Sequence, residues 1–187
     1  MYADDFVVCF QYKSEAERFY ELLKRRMGNF GLSLEEEKSR LIRFGRFAEP
    51  DCAKVGKRPE TFTFLGFTHY CSKSRNGWFR VKRRTSRKKF TKKCKEMNLL
   101  IKSMRNWKLE EIFKKVNQIL VGYYHYYGVT DNSDCIASFA FHVKGMLFYW
   151  LNHRSQRRSY TWDQFKRLIR EAFPLAKPRI YVNLLVG

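Results

Sequence analysis

The sequence predicts an α+β protein: a small antiparallel sheet with a helix in residues 1–82, followed by a basic helical bundle in residues 83–187. Alternating aromatic residues at 61–67 and a tight Asn76-Gly77 turn indicate the sheet. After residue 85 the spacing of apolar residues changes from two to about 3.6, which is typical of helices with one buried face. Short connections between these segments favour a bundle.

The elements of the first part are predicted from local patterns. Phe6-Val7-Val8-Cys9-Phe10 is a continuous apolar run, which indicates a strand buried on both faces. The remaining predictions are a helix at 14–30 capped by Ser14 with Glu17, a strand at 41–44, a loop at 48–59, a strand at 61–67, and a return strand at 78–81 after the turn.

Four helices are predicted in the second part. Ser86 caps the first, and the second runs from about Lys108 to Tyr127 and ends at Gly128. The third starts at Ser133, and a shorter fourth begins near Thr161 and stops before Pro174. Each has a single apolar stripe, as expected of helices that share one core.

The charge is distributed very unevenly along the chain. Residues 1–50 hold nine basic and nine acidic residues, so the formal net charge of +20 lies entirely in residues 51–187. Residues 73–105 contain 14 Lys and Arg and a single acid, Glu96. Such an excess indicates a polyphosphate partner, with a solvated basic face as the alternative.

Other features of the composition bear on the compartment. The five cysteines are scattered and form no Cys-x-x-Cys pair, which indicates reduced thiols and a cytoplasmic location. No run of 18 apolar residues occurs and the basic stretch lacks a broad apolar face, so no membrane partner is expected.

Two adjacent acids, Asp4 and Asp5, lead directly into the first apolar run. Carboxylates at the end of a buried strand need a compensating partner, and a divalent metal ion is the usual one. The alternative is a polar turn with two solvated acids.

Several segments together resemble the reverse transcriptase/maturase proteins encoded by bacterial group II introns. Tyr2-Ala3-Asp4-Asp5 resembles the metal-binding motif of the polymerase palm, and the Glu37-Lys38-Ser39 core resembles the palm motif that follows it. Further along, the similar segments are 58–70 (primer grip) and, within the thumb or maturase (X) domain, 122–129 and 150–156.

The resemblance implies a partial palm followed by a thumb, and it implies roles for individual residues. Asp4 is the stronger and Asp5 the auxiliary ligand of a two-Mg²⁺ site, and Lys38 protonates the pyrophosphate or contacts the triphosphate. The implied primer grip is Phe64, Leu65, Gly66 and Phe67. A surface lysine flanked by glutamates and an ordinary aromatic core strand are the respective alternatives.

Basic residues around the start of the bundle are candidates for phosphate contacts, which position a nucleic acid without reading its sequence. Tyr123, Tyr124, Tyr126 and Tyr127 are candidates for base stacking, although helix packing is favoured for them. The basic candidates are Arg80, Lys82, Arg83, Arg84, Arg87, Lys88, Lys92, Lys95, Arg154, Arg157 and Arg158, the last three with a solvated helix end as the alternative.

The family's fingers and first palm strand, which carries another metal-binding Asp, have no counterpart in residues 1–187. The expected function is therefore that of the C-terminal portion of an RNA-directed DNA polymerase. It binds intron RNA and an RNA/DNA template–primer, and it uses dNTPs only when a separate N-terminal polymerase half completes it. The alternatives are a non-catalytic RNA-binding maturase module that assists splicing and a pseudogene product without function.

Overall fold

The computed structural model describes residues 5–35, 39–155 and 159–184. This part of the chain has an α+β fold with six helices and one three-stranded antiparallel sheet, as the sequence predicted. It divides into two compact units. The sheet unit comprises Met1–Leu65 and His69–Lys82, and the helical unit comprises Gly66–Thr68 and Arg83–Gly187. None of the described helices is long and apolar enough to cross a membrane.

The sheet has the strand order β1-β2-β3. Its strands are β1 (Phe62–Phe64), β2 (Phe67–Lys73) and β3 (Phe79–Thr85). The predicted strand at 61–67 is in fact two strands, because Leu65 and Gly66 have φ angles of 47° and 80° and turn the chain between them. The predicted Asn76-Gly77 turn between β2 and β3 is confirmed, with Gly77 at φ 81°.

The sheet unit also contains α1 (Lys13–Asn29) and α2 (Ala48–Lys54). The helix predicted at 14–30 is confirmed, but its capping box is not, because Tyr12 occupies the cap position and makes no side-chain hydrogen bond there. The prediction of a loop throughout 48–59 is wrong for the residues of α2. Arg43 pairs with Asp51 of this helix, and Lys54 lies 3.3 Å from the same carboxylate.

Two predicted strands of the sheet unit are wrong. The segment 7–10 has no strand pairing within the described chain, and Val7 and Val8 are 45% and 46% exposed. Hydrophobicity does not make a strand unless a neighbouring backbone accepts and donates the ladder hydrogen bonds. Phe10 instead packs on Phe19 of α1, with ring centroids 5.1 Å apart. The segment 41–44 is irregular, and Phe44 packs edge-on against Phe62 at 5.0 Å.

All four predicted helices of the bundle are confirmed. They are α3 (Arg87–Met104), α4 (Leu109–Tyr127), α5 (Ser133–Leu151) and α6 (Trp162–Glu171). Ser86 caps α3 by accepting from Lys89 N, and Thr161 forms a capping box with Gln164 at the start of α6. The core consists of fully or nearly fully buried residues from the four helices, including Met97, Ile101, Ile112, Val116, Leu120, Phe139, Val143, Leu147 and Phe165.

A buried amide connects three elements of the helical unit. Asn132 Nδ2 donates to Thr85 Oγ1 at 2.9 Å and to the Tyr127 carbonyl at 2.8 Å, and its Oδ1 accepts from Thr85 N at 2.7 Å. Asn132 is fully buried and is also the residue that precedes α5. The end of β3, the end of α4 and the start of α5 therefore meet at one side chain.

The C-terminal segment lies along α4. Asn117 Nδ2 donates to the Pro174 carbonyl at 2.9 Å, and Asn117 Oδ1 accepts from Ala176 N at 2.8 Å. Farther on, Tyr181 N donates to the Gly128 carbonyl at 2.7 Å. A β-carbon on Gly128 would lie 2.2 Å from the Tyr124 carbonyl oxygen and 2.5 Å from that of Arg179, so only glycine permits this approach.

We expect Asn132→Ala to lower the free energy of unfolding of the helical unit by about 3 kcal/mol, because it leaves buried donors and acceptors of Thr85 and Tyr127 unpaired. Urea denaturation followed by tryptophan fluorescence measures this loss. Asn106→Ala, at an exposed asparagine between α3 and α4, is the matched control and should change stability by less than about 0.5 kcal/mol. Equal effects of the two substitutions would contradict the role given to Asn132.

Two glycines, Gly122 within α4 and Gly128 directly after it, should respond to alanine substitution with stability changes of opposite sign. Gly128→Ala should destabilise the protein by about 2 kcal/mol, because the new methyl group displaces the C-terminal segment. Gly122→Ala should stabilise it by about 0.5–1 kcal/mol, because a β-carbon there meets nothing within 4 Å and alanine favours the helix. Thermal unfolding of both variants checks the two signs, and a stable Gly128→Ala protein would contradict the packing described.

Candidate nucleic-acid interface

The basic side chains of α3 lie on one exposed face of the helix. Arg87, Lys88, Lys92 and Lys95 are all exposed, and together with Leu99 they line one shallow surface depression. Lys88, Lys92, Lys95, Leu99 and Lys102 follow one another at intervals of four or three residues, so they form a single stripe. We call Arg87, Lys88, Lys92, Lys95 and Lys102 the α3 basic face. At the rise of an α-helix, its 15 residues from Lys88 to Lys102 extend about 21 Å.

The opposite side of α3 fixes the direction of this face. Met97, Ile101 and Met104 are at most 1% exposed and belong to the core. Since these positions alternate with the cationic ones at helical spacing, burial of the apolar side directs the basic side outward. The direction of the charge is therefore a consequence of core packing.

The charge on this face is not neutralised within the described chain. Glu96, which lines the same depression, lies 3.6 Å from Lys93. Lys88, Lys92 and Lys95 make no ion pair with any carboxylate in residues 5–35, 39–155 or 159–184. Like charges at successive turns repel one another, and a bound anion removes that repulsion. The arrangement suits a ligand with regularly spaced negative charges.

The other predicted basic residues are spread over both units. Arg80 and Lys82 of β3 belong to the sheet unit, and Arg83 and Arg84 belong to the helical unit. Arg84 is exposed, whereas Arg83 is half-buried. The structure thus groups Arg87, Lys88, Lys92 and Lys95 on one face and adds Lys102, which the sequence analysis did not select although its spacing continues the stripe.

Arg154 has a packing contact of its own. Its Nη2 donates to the Trp107 carbonyl at 3.3 Å, which connects the segment after α5 to the connection between α3 and α4. Burial lowers the pKa of Arg154 from its ordinary value. Arg157 and Arg158 lie outside the described residues.

The predicted primer-grip residues surround the β1–β2 turn. Phe64 and Leu65 belong to the sheet unit, and Leu65 is 62% exposed at the tip. Gly66 and Phe67 belong to the helical unit, where the Gly66 carbonyl accepts from Ser86 N at 2.8 Å. A β-carbon on Gly66 would lie 3.0 Å from the Tyr127 hydroxyl, and the Phe67 ring contacts that of Tyr127 at 5.3 Å.

The tyrosines near the end of α4 divide into buried and exposed members. Tyr123 and Tyr124 are buried, which confirms that they pack in the core, whereas Tyr126 is 54% exposed and its ring lies parallel to Phe67 at 6.1 Å. Burial raises the pKa of Tyr124 to about 12, and it also raises that of Tyr123. Both phenols are therefore neutral at physiological pH.

The predicted metal and catalytic residues fall mostly outside the described chain. Asp4 and Lys38 are not among the described residues, and Asp5 is exposed. In the described ranges, no three His, Cys, Asp or Glu side chains come together as a possible metal site. The fit of Mg²⁺ to Asp4 and Asp5 therefore rests on the chemistry of a carboxylate pair.

The fold and this face define a basic α+β protein whose helical unit presents a row of exposed cations on α3. A family model described as Group II intron, maturase-specific domain, matches residues 87–169, which extend from the first residue of α3 into α6. Residues 87–169 are therefore similar to the group II intron maturase-specific domain, which confirms the resemblance seen in the sequence for this part of the chain. No curated protein and no solved structure matched the chain.

Proposed function

We propose that this protein binds intron RNA through the α3 basic face and acts as the RNA-binding part of a group II intron reverse transcriptase/maturase. The observation that carries the proposal is the row of Lys88, Lys92 and Lys95. These lysines are exposed and make no ion pair with any described carboxylate, and they lie in the segment that matches the maturase-specific domain. Phosphate contacts from such a row position an RNA backbone and supply affinity without reading bases.

The structure of α3 favours a folded RNA over a flexible polyanion. The helix is anchored by three buried side chains, so its cations are spaced by a rigid scaffold. Because the helix backbone is already ordered, it loses little conformational entropy on binding, and the row favours a ligand whose phosphates have a matching fixed spacing. Structured intron RNA has that property, and an RNA/DNA template–primer duplex is the second ligand that fits it.

We expect the triple substitution of Lys88, Lys92 and Lys95 by Gln to weaken binding of structured intron RNA by about ten-fold or more. It should also reduce the slope of log K against log salt by about 2, since three phosphate contacts are lost. Filter binding or fluorescence anisotropy across a salt series measures both quantities.

The matched control changes three other exposed lysines to Gln: Lys108, directly before α4, and Lys114 and Lys115 within it. Both triple variants lose the same net charge, so a general electrostatic effect would weaken binding equally. If the α4 variant loses as much affinity as the α3 variant, the α3 basic face is not the binding surface.

We further propose that the chain is part of an RNA-directed DNA polymerase, in which Asp4 and Asp5 hold Mg²⁺ and Lys38 assists the leaving pyrophosphate. Two Mg²⁺ ions supply the activation of a primer hydroxyl and the binding of a triphosphate. Neighbouring residues of an extended chain point to opposite sides, so the pair needs a further carboxylate to complete the site. The support for this proposal is the Tyr2-Ala3-Asp4-Asp5 motif ahead of the maturase-specific domain.

The two proposals separate in one pair of variants. We expect Asp4→Ala with Asp5→Ala to abolish primer extension that is restored by a separately supplied N-terminal polymerase half, and to leave intron RNA affinity within about two-fold. Primer extension with Mg²⁺ and dNTPs, run beside the binding assay, gives both readings. If no N-terminal half restores synthesis to the unsubstituted chain, the non-catalytic maturase module is the correct description.

A further inference from the structure

The far end of the α3 basic face meets a group of aromatic side chains. Trp150 Nε1 of α5 donates to Asn98 Oδ1 of α3 at 2.8 Å, and Phe90, two turns earlier on α3, contacts Phe139 of α5 at 6.3 Å. The two helices therefore run in the same direction, and their C-terminal ends lie together. Trp107 lies just beyond the end of α3, and its carbonyl accepts the hydrogen bond from Arg154.

Two rings at this end are half exposed. Trp107 is 51% exposed and Tyr149 is 52% exposed. The Tyr149 ring stacks on His153 with centroids 4.0 Å apart, and His153 Nδ1 lies 2.6 Å from the Tyr149 carbonyl oxygen. The Tyr149 ring is thus held in place, so a ligand that stacks on it does not have to order it first.

Two cations lie near the ring of Trp150, whose centroid is 4.9 Å from that of Tyr149. Lys102 Nζ lies 5.5 Å and the Arg105 guanidinium carbon 6.0 Å from the centroid of the Trp150 ring. Lys102 and Arg105 line a shallow depression with Leu99, and Leu99 also borders the depression of the α3 basic face. Basic residues therefore extend along α3 from Lys88 to Lys102, which lies beside the Trp150 ring.

We infer that Trp107, Tyr149, Lys102 and Arg105, the bundle-end cluster, bind an unpaired nucleotide of RNA. The base stacks on an exposed ring, and the two cations contact its flanking phosphates. This inference rests on the proposed function, because the α3 basic face holds the rest of the RNA. A paired base has both faces covered by its neighbours, so only a bulged or looped base reaches the rings.

The partner chemistry follows from the combination of groups. A simple anion would contact only the cations, and an apolar ligand would contact only the rings. A nucleotide carries a phosphate and an aromatic base, so it contacts both. Phosphate contacts on the α3 basic face position the RNA but do not recognise its sequence. A base-stacking site at the end of this face would let the domain recognise where an RNA helix is interrupted.

The test uses two hairpin RNAs of equal length, one with a single bulged 2-aminopurine and one fully paired. Stacking on Trp107 or Tyr149 should quench the 2-aminopurine fluorescence on binding. We expect Trp107→Ala and Tyr149→Ala to weaken binding of the bulged hairpin by about ten-fold and to change binding of the paired hairpin by less than about two-fold. Trp107→Phe should retain most of the preference, since it keeps a ring.

Phe141→Ala is the matched control, because Phe141 is a 71% exposed aromatic residue on α5 outside the cluster. It should bind both hairpins as the unsubstituted protein does. Circular dichroism and the melting temperature establish that the variants are folded. Because Trp107 and Tyr149 are half exposed, we expect their substitution to leave the fold intact.

The outcomes separate this inference from the function on which it rests. If the α3 triple variant weakens both hairpins while Trp107→Ala and Tyr149→Ala leave the bulge preference unchanged, the inference is wrong and the proposed function stands. If the α3 triple variant binds normally, the proposed function is wrong. If Trp107→Ala and Tyr149→Ala weaken binding of both hairpins equally, the cluster does not recognise an unpaired base. The same conclusion holds if these variants bind RNA normally and lose binding of a protein partner instead.

Discussion

The helical unit depends on the buried amide of Asn132. This side chain satisfies the backbone N–H and hydroxyl of Thr85 and the carbonyl of Tyr127, all within 2.9 Å. A buried polar group is tolerated only when such partners are present, and it then permits one arrangement of the elements that supply them. Thr85 and Ser86 precede α3 directly, so the amide also fixes where the first helix of the bundle begins.

From that point the placement of charge follows from packing. The Ser86 cap starts α3, three core residues orient it, and the remaining positions at helical spacing carry the cations outward. The affinity proposed for RNA therefore requires no loop to order. The same direction of α3 and α5 brings Trp150 and Tyr149 to the end of the cationic row, and Trp107 follows the end of α3. The unpaired base that we infer to bind there would add a contact that depends on base exposure to the proposed contacts that depend only on phosphate.

The C-terminal segment shows how a single small residue serves this architecture. Gly128 ends α4 next to Asn132, and the absence of a β-carbon lets the backbone of residues 179–182 approach it closely. His125 of α4 stacks on Tyr181 at 3.9 Å, so the segment is held by ring contact as well as by hydrogen bonds. The end of α4 is thereby covered on one side by residues 179–182 and on another by the amide of Asn132.

The sequence by itself determined the α+β class, the four bundle helices, the cap at Ser86, the hairpin at Asn76-Gly77, and the basic character of α3, because each depends on spacing or on a local hydrogen bond. It did not determine whether residues 7–10 and 41–44 form strands, because strand formation depends on a backbone partner remote in the chain. The function of Asn132, the close approach at Gly128 and the meeting of Trp107 with Arg154 were likewise decided by the tertiary structure alone. Each joins groups tens of residues apart, and local periodicity carries no information on which distant atoms a buried side chain will meet.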